Sequence, residues 1–212
     1  MLYPFLYAGG SGLDTLMEDV RRSTLEKAND IVRLRETVLQ KYGGELAVCA
    51  ARMAAAFRSG GRLFTFGNGG SSTDAQDVAA LFLNPGGPAR PLPALALTTD
   101  VAVVTALSND VGFEVVFARQ LAAFGRPGDI ALALSTSGNS DNLIAALREA
   151  TRRGMVTVGL AGYTGGQMAE TPGLNHLFVV PSSSVHRIQE AQTTVYHVLW
   201  ELTQAELTRE AR

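Results

Sequence analysis

The sequence predicts an α/β fold in which a doubly wound parallel sheet of about five strands follows an N-terminal helical extension. Three observations lead to this fold class. Short apolar runs recur along the chain from residue 62 onwards, each is followed by a turn rich in Gly, Ser, Asn or Thr, and each turn leads into a helical pattern. Because the runs are continuously apolar, the strands should be buried on both faces of the sheet.

The part of the chain that precedes the strands is predicted to be helical. Residues 13–60 carry apolar side chains at helical spacing. We expect Gly43 and Gly44 to end a first helix before a second one over residues 46–58. Residues 1–12 do not fit this pattern, and they form either a disordered terminus or an arm that packs on a neighbouring subunit.

The apolar runs assign the strands, and the last helix follows them. Residues 185–208 have apolar side chains at helical spacing, among them Ile188, Val195 and Leu199. A strand-then-helix repeat gives a parallel sheet with right-handed crossovers. We therefore expect one α/β domain over residues 61–212 that forms a single compact unit with the helical segment over 13–60. The predicted strands lie at residues 62–66, 93–97, 130–134, 155–160 and 177–180.

Composition limits the classes of function. The formal net charge of −2 argues against a nucleic-acid-binding surface. No apolar run reaches the roughly 18 residues that a membrane span needs. Cys49 is the only cysteine, which excludes an intrachain disulfide and a cysteine-based metal cluster. Because the N terminus also lacks the basic region of a secretion signal, we expect a cytoplasmic protein.

Two turns carry the residues that are expected to bind a ligand. GNGGSST at 67–73 leaves the first predicted strand, and STSGNS at 135–140 leaves the third. Ligands of open parallel sheets bind beyond the carboxyl ends of the strands, where glycines admit backbone N–H groups, helix N termini add partial positive charge and hydroxyls donate further hydrogen bonds. Helix capping explains one such turn, but two of them favour a binding site for a terminal phosphate.

The two turns resemble those of the sugar isomerase (SIS) domain family, and within it the phosphoheptose isomerase branch. The similarity extends over about residues 14–205. It implies a flavodoxin-like fold, and a homotetramer whose N-terminal helices pack together and whose active site is shared between subunits. It also implies isomerisation of sedoheptulose 7-phosphate. The matching motifs are GNGGS, STSGNS, RIQE at 187–190, NDVGF at 109–113, GRPGD at 125–129 and GYTGG at 162–166.

The resemblance also implies which residues surround the phosphorylated sugar. Most of them belong to the two turns, one lies in the NDVGF motif and one in the RIQE motif. The implied partners are this sugar and further copies of the chain, with no membrane and no direct nucleic-acid binding. The implied ligand-binding residues are Asn68, Gly69, Ser71, Asp110, Ser135, Thr136, Ser137, Ser140 and Gln189.

The resemblance breaks down at the catalytic positions. An aldose–ketose isomerase needs a base next to the carbonyl and a group that moves protons between two oxygens. In the family this pair looks like a Glu on the helix after GNGGS and a His on the last helix. Here His197 is present, but Leu81 stands in place of the Glu, and Asp77 replaces a His of the zinc site of some members. Leucine can neither accept a proton nor bind a metal.

Three explanations remain open. Asp77 lies one helical turn from Leu81 on the same face, and is a displaced base with His197 as its partner. Alternatively, Glu190 or Asp110 supplies the carboxylate. Thirdly, the site binds a sugar phosphate without catalysis, as a sensor or scaffold that resembles the DnaA initiator-associating protein of the same family.

No cofactor is required under any of these three explanations. A zinc ion is a weaker expectation, and its candidate ligands are Asp77, Gln189 and His197. Glutamine is a poor ligand for zinc, so we do not expect a complete metal site.

Overall fold

The computed structural model describes residues 13–209. Its first element is a single long helix, α1 (Leu13–Arg58). The helix runs through Gly43 and Gly44 without a break, so the expectation of two separate helices is wrong. Val38 and Leu46, on either side of the glycines, are buried in the core. Their packing offsets the roughly 1 kcal/mol that each helical glycine costs. The arm that the sequence suggests over residues 1–12 lies outside the described residues.

The sheet has five parallel strands in the order β2-β1-β3-β4-β5. This order is that of the flavodoxin-like fold, so the predicted fold class is confirmed. The chain builds outwards from β1 to β2 and then returns to the other side of β1, which makes the gap between β1 and β3 the switch point of the sheet. The strands are β1 (Leu63–Gly67), β2 (Ala94–Ala96), β3 (Ile130–Leu134), β4 (Val156–Gly162) and β5 (His176–Val180).

Helices cover both faces of the sheet. On one face α1, α2 and α7 share an apolar core with alternate strand residues such as Leu63 and Leu132. On the other face α4 and α5 pack on the intervening residues, such as Phe64 and Ala131. The remaining helices are α2 (Gly70–Leu83), α3 (Val101–Asp110), a 3₁₀ turn (Phe113–Val115), α4 (Val116–Phe124), α5 (Asp141–Arg152), α6 (Gly166–Ala169) and α7 (Val185–Arg209).

Several apolar side chains stand among the charged residues on the exposed surface of α1. Beside it, an apolar groove of about 280 Å³ lies between α1 and α7 and is lined by residues that include Val32, Leu39 and Val198. Within residues 13–209, no helix is both long enough and apolar enough to cross a membrane. The exposed apolar side chains of α1 are Met17, Val20, Leu25, Val32, Leu39 and Val48.

Candidate functional site

The turns after β1 and β3 meet at the switch point. Gly67 at the end of β1 pairs with Leu134 at the end of β3, so the two turns start side by side. A cavity of about 90 Å³ lies between them. The polar residues that the sequence assigned to these turns, apart from Gly69, come together around it. The lining residues are Asn68, Ser71, Leu134, Ser135, Thr136, Ser137, Ser140 and Leu143.

The cavity presents hydrogen-bond donors. Within residues 13–209, the backbone N–H groups of Thr136, Ser137 and Ser140 have no protein acceptor. The N termini of α2 and α5 lie beside the same loops and add partial positive charge. The lining residues include no Lys or Arg. An anion in this cavity would therefore be held by backbone dipoles and hydroxyls.

An amide pair joins the two loops. Asn68 Nδ2 donates to Asn142 Oδ1 at 2.8 Å, and Asn142 Nδ2 donates to Asn68 Oδ1 at 2.9 Å. Asn142 is buried on the first turn of α5. The sequence analysis did not identify Asn142 as a site residue. A signal was available, because asparagine is an unfavourable residue inside a helix unless its side chain has a specific partner.

The second loop depends on a glycine where it contacts the turn after β4. Gly138 has a φ of +70°, and a Cβ atom at this position would lie 2.0 Å from the carbonyl oxygen of Gly165. Only glycine combines this backbone conformation with this close approach. The STSGNS loop therefore packs directly against the backbone of the turn after β4.

Two of the predicted residues lie outside the cavity between the loops. Gly69 lines an adjoining hollow of about 160 Å³, together with Thr98 and Phe113. Asp110 is exposed at the end of α3, where its carboxylate accepts a hydrogen bond of 2.8 Å from Asn109. The roles of Gly69 and Asp110 stay predictions.

Gln189 reaches the first loop from α7. A Cβ atom on Gly70 would lie 2.4 Å from Gln189 Nε2, so the glycine makes room for this amide. Gln189 Nε2 donates to Asp74 Oδ2 at 3.2 Å. Burial raises the pKa of Asp74, the hydrogen bond from Gln189 opposes this, and the nearby Asp77 carboxylate adds to the increase.

Asp77, the candidate base, is held by Tyr196. The Tyr196 hydroxyl donates to Asp77 Oδ2 at 2.7 Å, while the Asp77 side chain remains exposed on α2. Tyr196 is buried, and burial together with this hydrogen bond raises the pKa of its hydroxyl above the usual value. Tyr196 therefore stays a neutral donor at physiological pH.

His197 lies next to Tyr196 and has a defined tautomer. Its Nδ1 atom is 2.8 Å from the carbonyl oxygen of Thr193. Because a carbonyl can only accept, Nδ1 carries a hydrogen, and in the neutral ring Nε2 is then the acceptor. The rings of Tyr196 and His197 are stacked with their centroids 5.0 Å apart. His197 can therefore accept a proton through Nε2.

The expected zinc ligands do not form a metal site. Asp77 is bound to Tyr196 and Gln189 to Asp74, so the side chains of two of the three candidates are hydrogen-bonded elsewhere. Leu81 is half-buried against the core shared by α1, α2 and α7, and it offers no donor atom. Nowhere in the described part of the chain do three or more His, Cys, Asp or Glu side chains form a group that could hold a metal ion. These residues do not fit zinc.

The fold and the site together define an α/β domain of the flavodoxin-like class, with a polar cavity between two loops at its switch point. The chain belongs to the SIS domain family, whose model matches residues 28–162.

Several relatives of this chain are named phosphoheptose isomerase. The chain is 48% identical to the phosphoheptose isomerase of Desulfovibrio desulfuricans over 178 residues, which cover 83% of each protein. It is 41% identical to that of Aquifex aeolicus over 185 residues, 85% of this chain and 96% of the relative. The structure of phosphoheptose isomerase GmhA from Neisseria gonorrhoeae superposes with a TM-score of 0.78 at 35% identity, covering 90% of this chain and 99% of the other. The resemblance seen in the sequence is confirmed.

Proposed function

We propose that the protein binds a phosphorylated sugar between its two switch-point loops and isomerises it between ketose and aldose, with sedoheptulose 7-phosphate as the substrate. The cavity bounded by Asn68, Ser71 and residues 135–140 carries this proposal. The relatives named phosphoheptose isomerase support the reaction type. We also propose that the protein is located in the cytoplasm.

The phosphate is held by the loops. A terminal phosphate has three oxygens that each need donors. The backbone N–H groups of Thr136, Ser137 and Ser140 supply some of them, and the hydroxyl of Ser71 from the other loop supplies another. With the phosphate fixed here, Gln189 lies beside the first loop, where the sugar chain leaves it.

The chemistry is a pair of proton transfers. Asp77 takes a proton from C1 of the ketose, which leaves an enediolate, and returns it to C2. His197 Nε2 accepts the proton of the O1 hydroxyl and delivers it to the O2 oxygen, so that a carbonyl forms at C1 and a hydroxyl at C2. All four transfers conserve protons and electrons. No metal takes part, in agreement with the poor fit of these side chains to zinc.

The oligomer is proposed to be a homotetramer with a site shared between subunits. The support is the set of exposed apolar side chains of α1, which includes Val32 and Leu39, and the groove between α1 and α7. Apolar patches of this kind mark interaction surfaces. A helix of 46 residues that buries only part of its apolar surface within one subunit is suited to such packing.

Proton NMR of sedoheptulose 7-phosphate in D₂O tests the activity. We expect deuterium to enter next to the carbonyl in the presence of the protein, with or without a zinc chelator. Asp77→Asn should abolish the exchange while the sugar phosphate still binds, whereas Asp30→Asn, an exposed aspartate of α1, should have no effect. Unchanged exchange in Asp77→Asn would exclude Asp77 as the base.

A second candidate function is binding without catalysis, as in a sugar-phosphate sensor. Leu81 favours it, since this side chain fills the position of the family's glutamate and packs on the apolar core. A sensor would bind the sugar phosphate, which broadens the ligand's NMR signals, and would give no exchange. It would also retain a partner protein in a pull-down, with the amount changing when sugar phosphate is added.

A further inference from the structure

We infer that Tyr196 is a positioning residue for the base: it holds Asp77 by one carboxylate oxygen and leaves the other free to take the substrate proton. This inference rests on the proposed isomerase function. Tyr196 has no role in the resemblance to the family, and the structure alone brings it to Asp77.

The hydrogen bond has a defined direction. The Tyr196 hydroxyl lies 2.7 Å from Asp77 Oδ2 and 3.5 Å from Thr193 Oγ1. Thr193 Oγ1 donates its own hydrogen to the carbonyl oxygen of Gln189 at 3.0 Å. The single phenol hydrogen therefore goes to the nearer, charged acceptor, since a charge-assisted bond is the stronger one. Asp77 Oδ1 has no partner among the described residues.

The donor is rigid, although the acceptor is exposed. Only 2% of Tyr196 is exposed, and its ring belongs to the core between α1, α2 and α7. An exposed carboxylate such as Asp77 samples many orientations unless it is held. A bond from a buried phenol removes that freedom, and pre-organisation of this kind is what a catalytic base requires.

The same turn of α7 also orients the second group. The Thr193 carbonyl fixes the tautomer of His197 at 2.8 Å, and the His197 ring stacks on the Tyr196 ring. Residues of the segment from Thr193 to His197 thus orient both proton acceptors, the carboxylate of Asp77 and the imidazole of His197.

Attachment of α2 to α7 does not depend on the phenol. The two helices share the apolar core, and a second polar contact joins Gln189 to Asp74. Removal of the Tyr196 hydroxyl should therefore leave the fold intact and affect mainly the orientation of Asp77.

The test is Tyr196→Phe, with Tyr42→Phe as the matched control. Tyr42 lies in the same apolar core, and its hydroxyl has no partner among the described residues. For Tyr196→Phe we expect kcat for exchange into sedoheptulose 7-phosphate to fall about ten- to hundredfold, since hydrogen bonds to charged groups carry this much free energy. Affinity for inorganic phosphate and KM should stay within about twofold of wild type. Tyr196→Phe added to Asp77→Asn should cause little further loss, because Tyr196 acts only through Asp77.

The outcomes separate the two proposals. If the wild type binds sedoheptulose 7-phosphate without exchange, the isomerase function is wrong and the positioning role goes with it. If the wild type exchanges and Tyr196→Phe matches it, only the role of Tyr196 is overturned. The same holds if phosphate affinity falls in parallel with kcat, or if the losses from the two substitutions add. If Tyr196→Phe does not fold, Asp77→Glu serves instead, because it keeps the carboxylate but moves it from the phenol, and wild-type exchange in this variant would overturn the role.

Discussion

The side-chain amides of Asn68 and Asn142 form a reciprocal pair, in which each donates one hydrogen bond to the other at 2.8 and 2.9 Å. Asn68 follows β1 and Asn142 lies on the helix that follows β3. The pair therefore fixes the distance between the two loops that line the cavity at the switch point. A phosphate held by both loops depends on that distance.

Asn142→Ala should weaken the binding of inorganic phosphate about three- to tenfold, because it removes both hydrogen bonds and leaves the Asn68 amide without its partner. Isothermal titration calorimetry checks this. Asn29→Ala, at an exposed position on α1, is the control and should bind as the wild type does. Equal affinity in Asn142→Ala and wild type would mean that the amide pair does not set the geometry of the cavity.

Replacement of glycine by alanine should have opposite effects on stability at Gly138 and at Gly44. Gly138→Ala should lower the free energy of unfolding by about 1–3 kcal/mol and abolish phosphate binding, because Gly138 has a φ of +70° and contacts the backbone of Gly165. Gly44→Ala should raise that free energy by about 1 kcal/mol, since Gly44 lies within α1 and a Cβ atom there meets nothing within 4 Å. Urea unfolding measures both. A stable, phosphate-binding Gly138→Ala would contradict the account of the second loop.

The sequence was sufficient to predict those parts of the site that are formed by residues close together in the chain. Gly, Ser and Asn residues cluster directly after buried strands, so the loop around Ser137 could be assigned from neighbours in the chain. Contacts between segments that are distant in the chain could not be predicted in this way. Asp77 and Tyr196 are 119 positions apart, and their hydrogen bond depends on how α2 and α7 pack. Gly43 and Gly44 show the converse, because packing along α1 overrides the local tendency of glycine to end a helix.

Glu149 should make stability depend on pH. The hydrogen bond from Arg152, joined by one from Arg153, lowers the pKa of Glu149 from its usual 4.5 to about 2. A carboxylate with a lowered native pKa stabilises the fold above the unfolded pKa, and this contribution is lost as pH falls from about 4.5 towards 2. Glu149→Gln should therefore cost about 1 kcal/mol at pH 7 and progressively less below pH 4.5.

Urea unfolding at pH 7, 5 and 3 measures this difference. Glu201→Gln is the control, since Glu201 is exposed and has no ion-pair partner among the described residues. A difference between Glu149→Gln and wild type that stays constant across these pH values would show that the ion pairs do not couple to protonation.

The exposed apolar side chains of α1 should hold the tetramer together. Light scattering should give a mass of about 90 kDa for the wild type, four times the 22.5 kDa of one chain. Leu39→Asp should yield smaller species, because it places a charge on an apolar surface where the wild-type side chain is 64% exposed. Val101→Asp, at a position on α3 that is 66% exposed, should leave the mass unchanged. A monomeric wild type would remove the proposed role of α1.

Leu81 stands where the resemblance to the family implies a catalytic glutamate, and its replacement tests whether a carboxylate at this position would speed the reaction. Leu81→Glu places a carboxylate on the same face of α2 as Asp77, one turn along, near the helix that carries His197. If Leu81 limits proton transfer, Leu81→Glu should raise the rate of deuterium exchange into sedoheptulose 7-phosphate by about tenfold or more, at the lower end of what general bases contribute.

The matched control is Leu81→Gln, because glutamine has nearly the same shape as glutamate but does not act as a base. Both variants lose apolar contact with the core, so both should be less stable than wild type by about 1–2 kcal/mol. A rate increase confined to Leu81→Glu assigns the effect to the carboxylate. Equal rates in Leu81→Glu, Leu81→Gln and wild type would mean that a carboxylate at position 81 does not take the proton, which leaves Asp77 as the proposed base.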